Sequence, residues 1–107
     1  GGKQIRAYLF ATDAARAVYL ALTNPAAVGG VFNIASDETV TISGLAQKAL
    51  KITGSKSEIV YEDGWVDERE YRIDSTLARS VLGFKPLVDL ETGLKKILAW
   101  QEAGEQA

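Results

Sequence analysis

Arginines are the side chains in this sequence best suited to chemistry, because histidine and cysteine are both absent. That absence excludes imidazole triads, zinc clusters, thiolate metal sites and disulfides. Glu68 and Glu70 are close in sequence, but we interpret them as ordinary surface carboxylates and not as a paired-carboxylate site. A guanidinium such as that of Arg6 instead presents a planar fork of donors that matches the oxygens of a phosphate.

Composition and charge narrow the class of protein further. The 107 residues suffice for one domain, and a hydrophobic content of 47% allows a small core. A net charge of -2 with scattered basic residues gives no footprint for nucleic acid or for a membrane surface. The apolar stretches are too short to span a bilayer, and no signal-peptide pattern is present. We therefore expect a cytoplasmic protein and, since methionine is absent even at position 1, a piece of a longer chain.

Apolar spacing, capping residues and helix breakers predict four helices. Each follows a residue that favours the N-cap position, and the first three end at an Asn-Pro pair or at a glycine. The caps are Asp13, Thr41, Asp74 and Asp89, and the helices cover residues 14–22, 42–50, 77–82 and 90–98.

Short stretches of β-branched and aromatic residues predict strands at residues 5–10, 31–35 and 58–61. A strand, a helix and a strand of these lengths over residues 31–61 suggest one βαβ unit with two parallel strands. The sequence therefore predicts a single domain over residues 1–107. Its class is a small mixed α/β fold, with about four helices and a short, partly parallel sheet.

Five segments in a fixed order are spread over about nine-tenths of the chain. They are Arg-Ala-Tyr-Leu-Phe-Ala-Thr-Asp at 6–13, Gly-Val-Phe-Asn-Ile-Ala-Ser at 30–36, Val-Thr-Ile-Ser-Gly-Leu-Ala at 40–46, the stretch at 74–86, and Leu-Glu-Thr-Gly-Leu at 90–94 followed by Trp100. In this order they resemble the extended short-chain dehydrogenase/reductase family, the NAD-dependent epimerases and dehydratases. Alanines at positions 7, 11 and 35 and leucine at 77 depart from that family's usual aspartate, valine, glycine and lysine.

The resemblance implies that this chain is the carboxy-terminal, substrate-binding portion of such an enzyme. In the family, a separate Rossmann domain holds NAD(P) on a glycine-rich turn and supplies a Tyr-x-x-x-Lys pair. The present sequence contains neither motif, since its tyrosines are followed four residues later by threonine, threonine, tryptophan and serine. We expect no catalytic residue and no bound cofactor in this chain, and NAD(P) in the full-length parent.

The resemblance also places ligand contacts. It implies that Arg6 reaches the diphosphate of a nucleotide sugar, the alternative being an arginine paired with a nearby carboxylate. Asn33 is implied to contact the nucleotide sugar, and an equally good alternative is a side chain that bonds the backbone of the following turn. Asp67 falls where some relatives place a polar residue that contacts the nucleotide.

The polar segment 63–71 matches a loop that closes over the nucleotide in the family. Gly64 occupies the position at which many relatives have a phosphate-binding arginine, so Arg69 or Arg72 would have to replace it from a shifted loop. Trp65 would either stack on a base or pack on the domain. The alternative for the whole segment is a solvated, mobile run of charges.

Three functions remain open from the sequence. The chain is part of an NAD(P)-dependent nucleotide-sugar epimerase, dehydratase or reductase, or a free-standing module that binds a ligand or associates with itself. The third alternative is a remnant without function. A surface that faced a missing Rossmann domain would be apolar, and such a surface favours a homodimer.

Overall fold

Four helical segments and one two-stranded sheet form the described part of the chain. The computed structural model describes residues 1–65, 67 and 69–104, so the prediction about Glu68 lies outside the described residues. The elements in chain order are β1 (Ile5–Arg6), α1 (Ala11–Thr23), a 3₁₀ turn (Pro25–Ala27), β2 (Val40–Thr41), α2 (Ile42–Thr53), a π-helical turn (Ala78–Leu82) and α3 (Leu90–Glu102). The four predicted helices are therefore confirmed.

Local capping chemistry explains most of the helix ends. Thr41 and Asp89 each accept a hydrogen bond from the backbone N–H three residues later, at 2.9 and 2.7 Å. Asp74 accepts from the backbone N–H two residues later, at 2.9 Å, just before the π-helical turn. Gly54 and Gly83 follow α2 and the π-helical turn, both with φ of 66°, a left-handed conformation that glycine adopts without strain.

The predicted cap of the first helix is wrong, because α1 begins earlier than expected. Phe10 holds the N-cap position, and no side chain caps the helix there. Asp13 lies inside the first turn, 2% exposed, where its carboxylate accepts hydrogen bonds from the backbone N–H groups of Leu87 and Val88 at 3.0 and 2.9 Å. Arg16 donates to the same carboxylate at 3.2 Å. Asp13 therefore ties α1 to the segment that leads into α3.

The apolar core lies between α1 and the π-helical turn. Within the described residues its buried side chains are Ala17, Ala78, Leu82 and Phe84, of which Phe84 is the largest. Partly buried apolar residues from α1, from the 3₁₀ turn and from the extended segment 31–35 pack around them. Much of the predicted apolar face of α1 is nevertheless exposed, so the core covers only part of that face.

The predicted parallel pairing is wrong. β1 and β2 are antiparallel, with Ile5 opposite Thr41 and Arg6 opposite Val40. The predicted strand at residues 31–35 is not part of any sheet among the described residues, where β1 is the partner of β2. The pairing continues past β2, where Ser43 and the residue before it donate to backbone carbonyls at positions 2 and 4.

The predicted third strand, residues 58–61, also fails to pair with 31–35. Tyr61 lies instead against the amino-terminal end of α2, where its hydroxyl is 2.7 Å from Oγ of Ser43. A Cβ at Gly2 would lie only 3.0 Å from the Tyr61 ring, so glycine allows this close approach. The chain after α2 therefore returns to β1, which excludes the βαβ geometry.

The molecule is extended for its length. Its Cα radius of gyration is 16.6 Å, whereas a compact domain of this length has about 13 Å. Its extents are 50 × 36 × 20 Å, a flat shape that leaves apolar side chains from several elements exposed. The described residues therefore form a thin layer with a small core.

We predict that Asp13→Asn lowers the free energy of unfolding at pH 7 by about 1–3 kcal/mol. The amide offers one acceptor atom in place of two, and its NH₂ group would face backbone donors or Arg16. Urea unfolding followed by circular dichroism measures the change, with Glu58→Gln as an exposed control. A loss no larger than that of the control would contradict the role of Asp13.

The effect should depend on pH. Burial alone raises the pKa of Asp13, but hydrogen bonds from Val88, Leu87 and Arg16 outweigh it and place the pKa below its ordinary value. A lowered pKa gives stability that is present above the unfolded-state pKa and is lost as the pH falls through the folded-state value. The difference between wild type and Asp13→Asn should therefore shrink below about pH 4. An equal difference at pH 7 and pH 3 would contradict this.

Candidate functional site

The polar segment after residue 62 folds back onto β1 and meets Arg6 there. One terminal nitrogen of the Arg6 guanidinium donates to the carbonyl of Ile5 at 2.9 Å and to the carbonyl of Arg69 at 3.1 Å. The strand thus holds the guanidinium from one side and the loop backbone holds it from the other. Its side chain is 26% exposed, so it remains open to a ligand.

Asp67 organises the loop around Arg69. Its carboxylate accepts from the backbone N–H of Arg69 at 3.1 Å and from that residue's Nε and Nη2 at 2.7 and 2.8 Å. The second oxygen of Asp67 is also 3.8 Å from Nη2 of Arg6. Hydrogen bonding to Arg69 lowers the pKa of Asp67 to about 2, and the same contact raises the pKa of Arg69. The carboxylate is therefore ionised at any physiological pH.

The ring of Tyr71 contacts both arginines. The Cζ atom of Arg6 lies 4.7 Å from the ring centroid, and that of Arg69 lies 5.5 Å from it. Arg6, Asp67, Arg69 and Tyr71 together form what we call the arginine cluster. Sequence reasoning did not assign a role to Tyr71, although an aromatic residue two positions after Arg69 was a usable signal.

The structure brings together three of the four predicted site residues. Arg6, Asp67 and Arg69 lie in the arginine cluster. Asn33 is exposed on the segment 31–35 and makes no hydrogen bond within the described residues, so the alternative that it bonds the following turn is not supported. Arg72 is not part of the cluster, because its guanidinium pairs with Glu70 at 3.1 Å.

Charge and geometry suit the cluster to an anion. Its two guanidinium groups face one carboxylate, which leaves one net positive charge. The alternative for Arg6, an arginine paired with a carboxylate, holds in part, because Asp67 lies at 3.8 Å, beyond hydrogen-bonding distance. Guanidinium donors that Asp67 does not occupy are available to phosphate oxygens, and Tyr71 restricts where they point.

Trp65 projects into solvent. Its side chain is 88% exposed, so the alternative in which it packs on the domain is wrong. Gly64 beside it has open space around it. An exposed indole in the segment that carries Asp67 and Arg69 is available for stacking on a planar ligand.

The side chains of the arginine cluster are partly exposed, from 19% for Asp67 to 71% for Arg69. Concave regions among the described residues include a groove of about 580 Å³ between α2 and α3, with Lys48, Lys51 and Lys95 in its lining, and an apolar pocket of about 250 Å³ with Leu45 and Leu94 in its lining. No group of acidic residues in the described residues could hold a metal ion. Neither of these two concave regions includes a residue of the cluster in its lining.

No protein-family model matches the chain. Curated relatives do match it. The dTDP-glucose 4,6-dehydratase of Salmonella typhimurium is 33% identical over 98% of this chain and 31% of its own length. The UDP-N-acetyl-alpha-D-glucosaminuronate decarboxylase of Bacillus cytotoxicus is 30% identical over 92% of this chain and 33% of its own length.

Solved structures give the same assignment. UDP-glucose 4-epimerase of Thermotoga maritima, solved with UDP-glucose, superposes with a TM-score of 0.83 at 32% identity over 97% of this chain and 34% of its own. The chain belongs to the extended short-chain dehydrogenase/reductase family. The enzyme WbmF of Bordetella bronchiseptica, in complex with NAD⁺ and UDP, superposes at 0.80 with 31% identity, over 97% of this chain and 30% of its own.

The match to these dehydrogenase/reductase relatives is partial in one direction only. Nearly the whole of this chain is aligned, but it spans about a third of the length of the curated relatives and solved structures it matches. The family resemblance predicted from the five sequence segments is confirmed. The activity, substrates and partners of the complete relatives remain separate questions.

We predict that Asp67→Asn speeds tryptic cleavage after Arg69 severalfold. Loss of the carboxylate frees the guanidinium of Arg69 and loosens the loop around it, and cleavage follows the population of the open form. Limited proteolysis with mass spectrometry locates the cut. Asp63→Asn is the matched control, since Asp63 is an exposed carboxylate of the same segment that lies outside the cluster and does not flank the scissile bond. Equal cleavage after Arg69 in both variants would contradict the assigned role of Asp67.

Proposed function

We propose that this chain is the nucleotide-sugar-binding, carboxy-terminal part of an NAD(P)-dependent sugar epimerase or dehydratase. The observation that carries the proposal is the arginine cluster, in which Arg6 and Arg69 both lie over the ring of Tyr71 and remain partly exposed. Relatives that align with nearly all of this chain are named for action on dTDP-glucose or UDP-sugars, and two solved structures contain UDP-glucose or UDP. A nucleoside diphosphate sugar is therefore the proposed ligand.

Arg6 is proposed to bind the diphosphate. A phosphate oxygen has a higher negative charge than the carbonyls that Arg6 now contacts, and charge-assisted hydrogen bonds are roughly twice as strong as neutral ones. Arg69 is proposed as the second phosphate contact. It would replace the arginine that many relatives have at the position of Gly64. Its guanidinium already lies 5.5 Å from the ring on which Arg6 stacks.

Asp67 and Asn33 are proposed to contact the nucleotide-sugar portion of the ligand. Asp67 is held as an ionised acceptor, which suits the hydroxyl donors of a ribose or a sugar. Asn33 is exposed, and among the described residues the oxygen and the NH₂ group of its amide make no hydrogen bond, so both are proposed to face the ligand.

Catalysis is proposed to need the remainder of the parent protein. The sequence has no glycine-rich dinucleotide-binding turn and no Tyr-x-x-x-Lys pair. The residues that bind the hydride acceptor and transfer protons in the family are therefore not found in this chain. NAD(P), when bound in the parent, would supply the hydride acceptor. This chain's part is to bind and orient the nucleotide sugar.

The second candidate is a module that self-associates as a homodimer without enzymatic activity. The large exposed apolar side chains on and after α1 favour it, because contiguous apolar surface on a small protein promotes association. No helix of the described residues has both the length and the apolar character that crossing a membrane requires. We propose the cytoplasm as its location for either candidate.

Arg6→Ala should weaken binding of a UDP- or dTDP-sugar by about 1.5–3 kcal/mol, which is about 10- to 150-fold in the dissociation constant. The variant loses the charge and the donors proposed for the diphosphate. Isothermal titration calorimetry with UDP-glucose and dTDP-glucose measures it, and quenching of Trp65 fluorescence gives a second signal. Arg72→Ala is the control, because its guanidinium lies outside the cluster.

Arg6→Lys separates charge from geometry in the same assay. Lysine keeps the positive charge but loses the planar fork, so we expect an affinity between those of wild type and Arg6→Ala. An unchanged dissociation constant in Arg6→Ala would refute the phosphate role. No binding of either nucleotide sugar by the wild-type chain would refute the proposed function itself.

NAD⁺ and NADP⁺ should not bind to this chain alone. The proposed division of labour puts the dinucleotide site outside residues 1–107, since the phosphate-binding turn is absent from the sequence. Calorimetry under the conditions used for UDP-glucose tests this directly. Dinucleotide binding of comparable strength would contradict the assignment of this chain to substrate binding.

A further inference from the structure

A positively charged groove lies between α2 and α3. Its volume of about 580 Å³ is in the range of small-molecule sites, and Lys48 and Lys51 of α2 and Lys95 of α3 are in its lining. Glu91 is the one acidic residue among the described residues that line it. Three positive charges and one negative charge thus border the same space, in a chain whose net charge is -2.

The lysines of α2 have no acidic partner within their own helix. Lys48 and Lys51 are one turn apart and both line the groove, so their like charges repel each other. Residues 42–55 contain no aspartate or glutamate. Lys51 lies in the last turn, where it complements the partial negative charge at the carboxyl end of the helix, but Lys48 lies one turn earlier and is half-buried. Nothing within α2 therefore offsets the charge of Lys48.

The one carboxylate in the lining is already engaged. Lys95 donates a hydrogen bond to Glu91 at 2.7 Å. That bond is the largest cause of the lowered pKa of Glu91, and the nearby charges of Lys48 and Lys51 lower it further, although desolvation opposes them. Neither Lys48 nor Lys51 forms an ion pair or a side-chain hydrogen bond with another residue that the structure describes. Two ammonium groups in the groove thus remain unmatched.

We propose that this groove binds a small anion that carries several phosphate charges, at a site separate from the arginine cluster. An ammonium group is a compact charge with three donors, and lysine binds phosphate in that way. Lys48 and Lys51 supply charges that the described residues do not match, and Lys95 keeps donors that Glu91 does not occupy. An anion between the two helices relieves the repulsion across the groove. Nucleotide-sugar binding at the arginine cluster is not required for it.

The lining favours a small anion over a peptide or a nucleic acid. Ile52 is the one large apolar side chain among the described lining residues, whereas peptides that dock into grooves are anchored by apolar side chains. Asp89 and Glu91 at the start of α3 would repel a long polyanion that extended beyond the groove. The groove therefore suits a ligand that ends within it.

The test is a titration of the ¹⁵N-labelled chain with sodium tripolyphosphate at low ionic strength, followed by NMR. Amides of residues 44–52 and 91–95 report on the groove, and those of β1 report on the arginine cluster, so binding at the two places is measured separately. Lys48→Gln removes one unmatched charge. Lys56→Gln is the matched control, because Lys56 is exposed, follows α2 and is absent from the lining. Far-UV circular dichroism verifies that both variants fold.

We expect saturable shifts at the groove in the wild-type chain. Lys48→Gln should raise the dissociation constant there about two- to fivefold, the effect of one partly exposed ion pair, and the double change Lys48→Gln with Lys51→Gln should raise it about tenfold. Lys56→Gln should leave it unchanged. Added sodium chloride should weaken the binding, because salt screens partly exposed charges.

The absence of a saturable shift at the groove would overturn the proposal. Equal weakening by Lys48→Gln and Lys56→Gln would also overturn it, because that result indicates attraction to the overall lysine charge. Groove shifts caused by an octapeptide of glutamate and not by tripolyphosphate would replace the small anion by an acidic peptide. All of these outcomes are separate from the proposed function, which is tested by UDP-glucose binding at the arginine cluster.

Discussion

The buried carboxylate of Asp13 is the contact on which the arrangement of helices depends. It accepts two backbone N–H groups from the segment before α3 and one donor from Arg16 in its own helix. Arg16 in turn lies over the Phe84 ring, with Cζ 5.2 Å from the centroid, and donates to the carbonyl of Lys85. A core this small buries too little surface to fix the position of the segment between Phe84 and α3 by itself. This polar network fixes where α3 begins, and the ring of Phe10 then packs against Gly93 of α3.

The site depends on a different and weaker scaffold. β1 has only two residues, and the loop of the arginine cluster reaches it through the guanidinium of Arg6 and the paired carboxylate of Asp67. These groups are partly exposed, so solvent screens their attraction. A ligand phosphate would add a stronger partner to the same guanidinium groups. Under the proposed function, the side chains that hold the loop on β1 would also be the ones that bind the ligand.

The features that the sequence predicted correctly are helix ends, which depend on contacts between residues close together in the chain. Thr41 and Asp89 cap their helices as expected, and glycine ends α2, because these choices depend on residues three or four positions away. Asp13 was misplaced because its partners lie more than seventy residues later, and no local pattern distinguishes a cap from a buried tether. Three of the residues that the family resemblance proposed as ligand contacts lie together in the arginine cluster. Tyr71 was missed, since its role appears only when the loop has folded onto β1.

The hydrogen bond from Arg6 to residue 69 is made to a main-chain carbonyl. Every amino acid presents that carbonyl, so the tether between strand and loop is indifferent to the side chain at position 69. A substitution there keeps this backbone contact and loses the contacts of the guanidinium with Asp67 and with the Tyr71 ring. Position 69 thus makes two contacts of different kinds, one to β1 that any residue can make and one within the loop that depends on the arginine side chain.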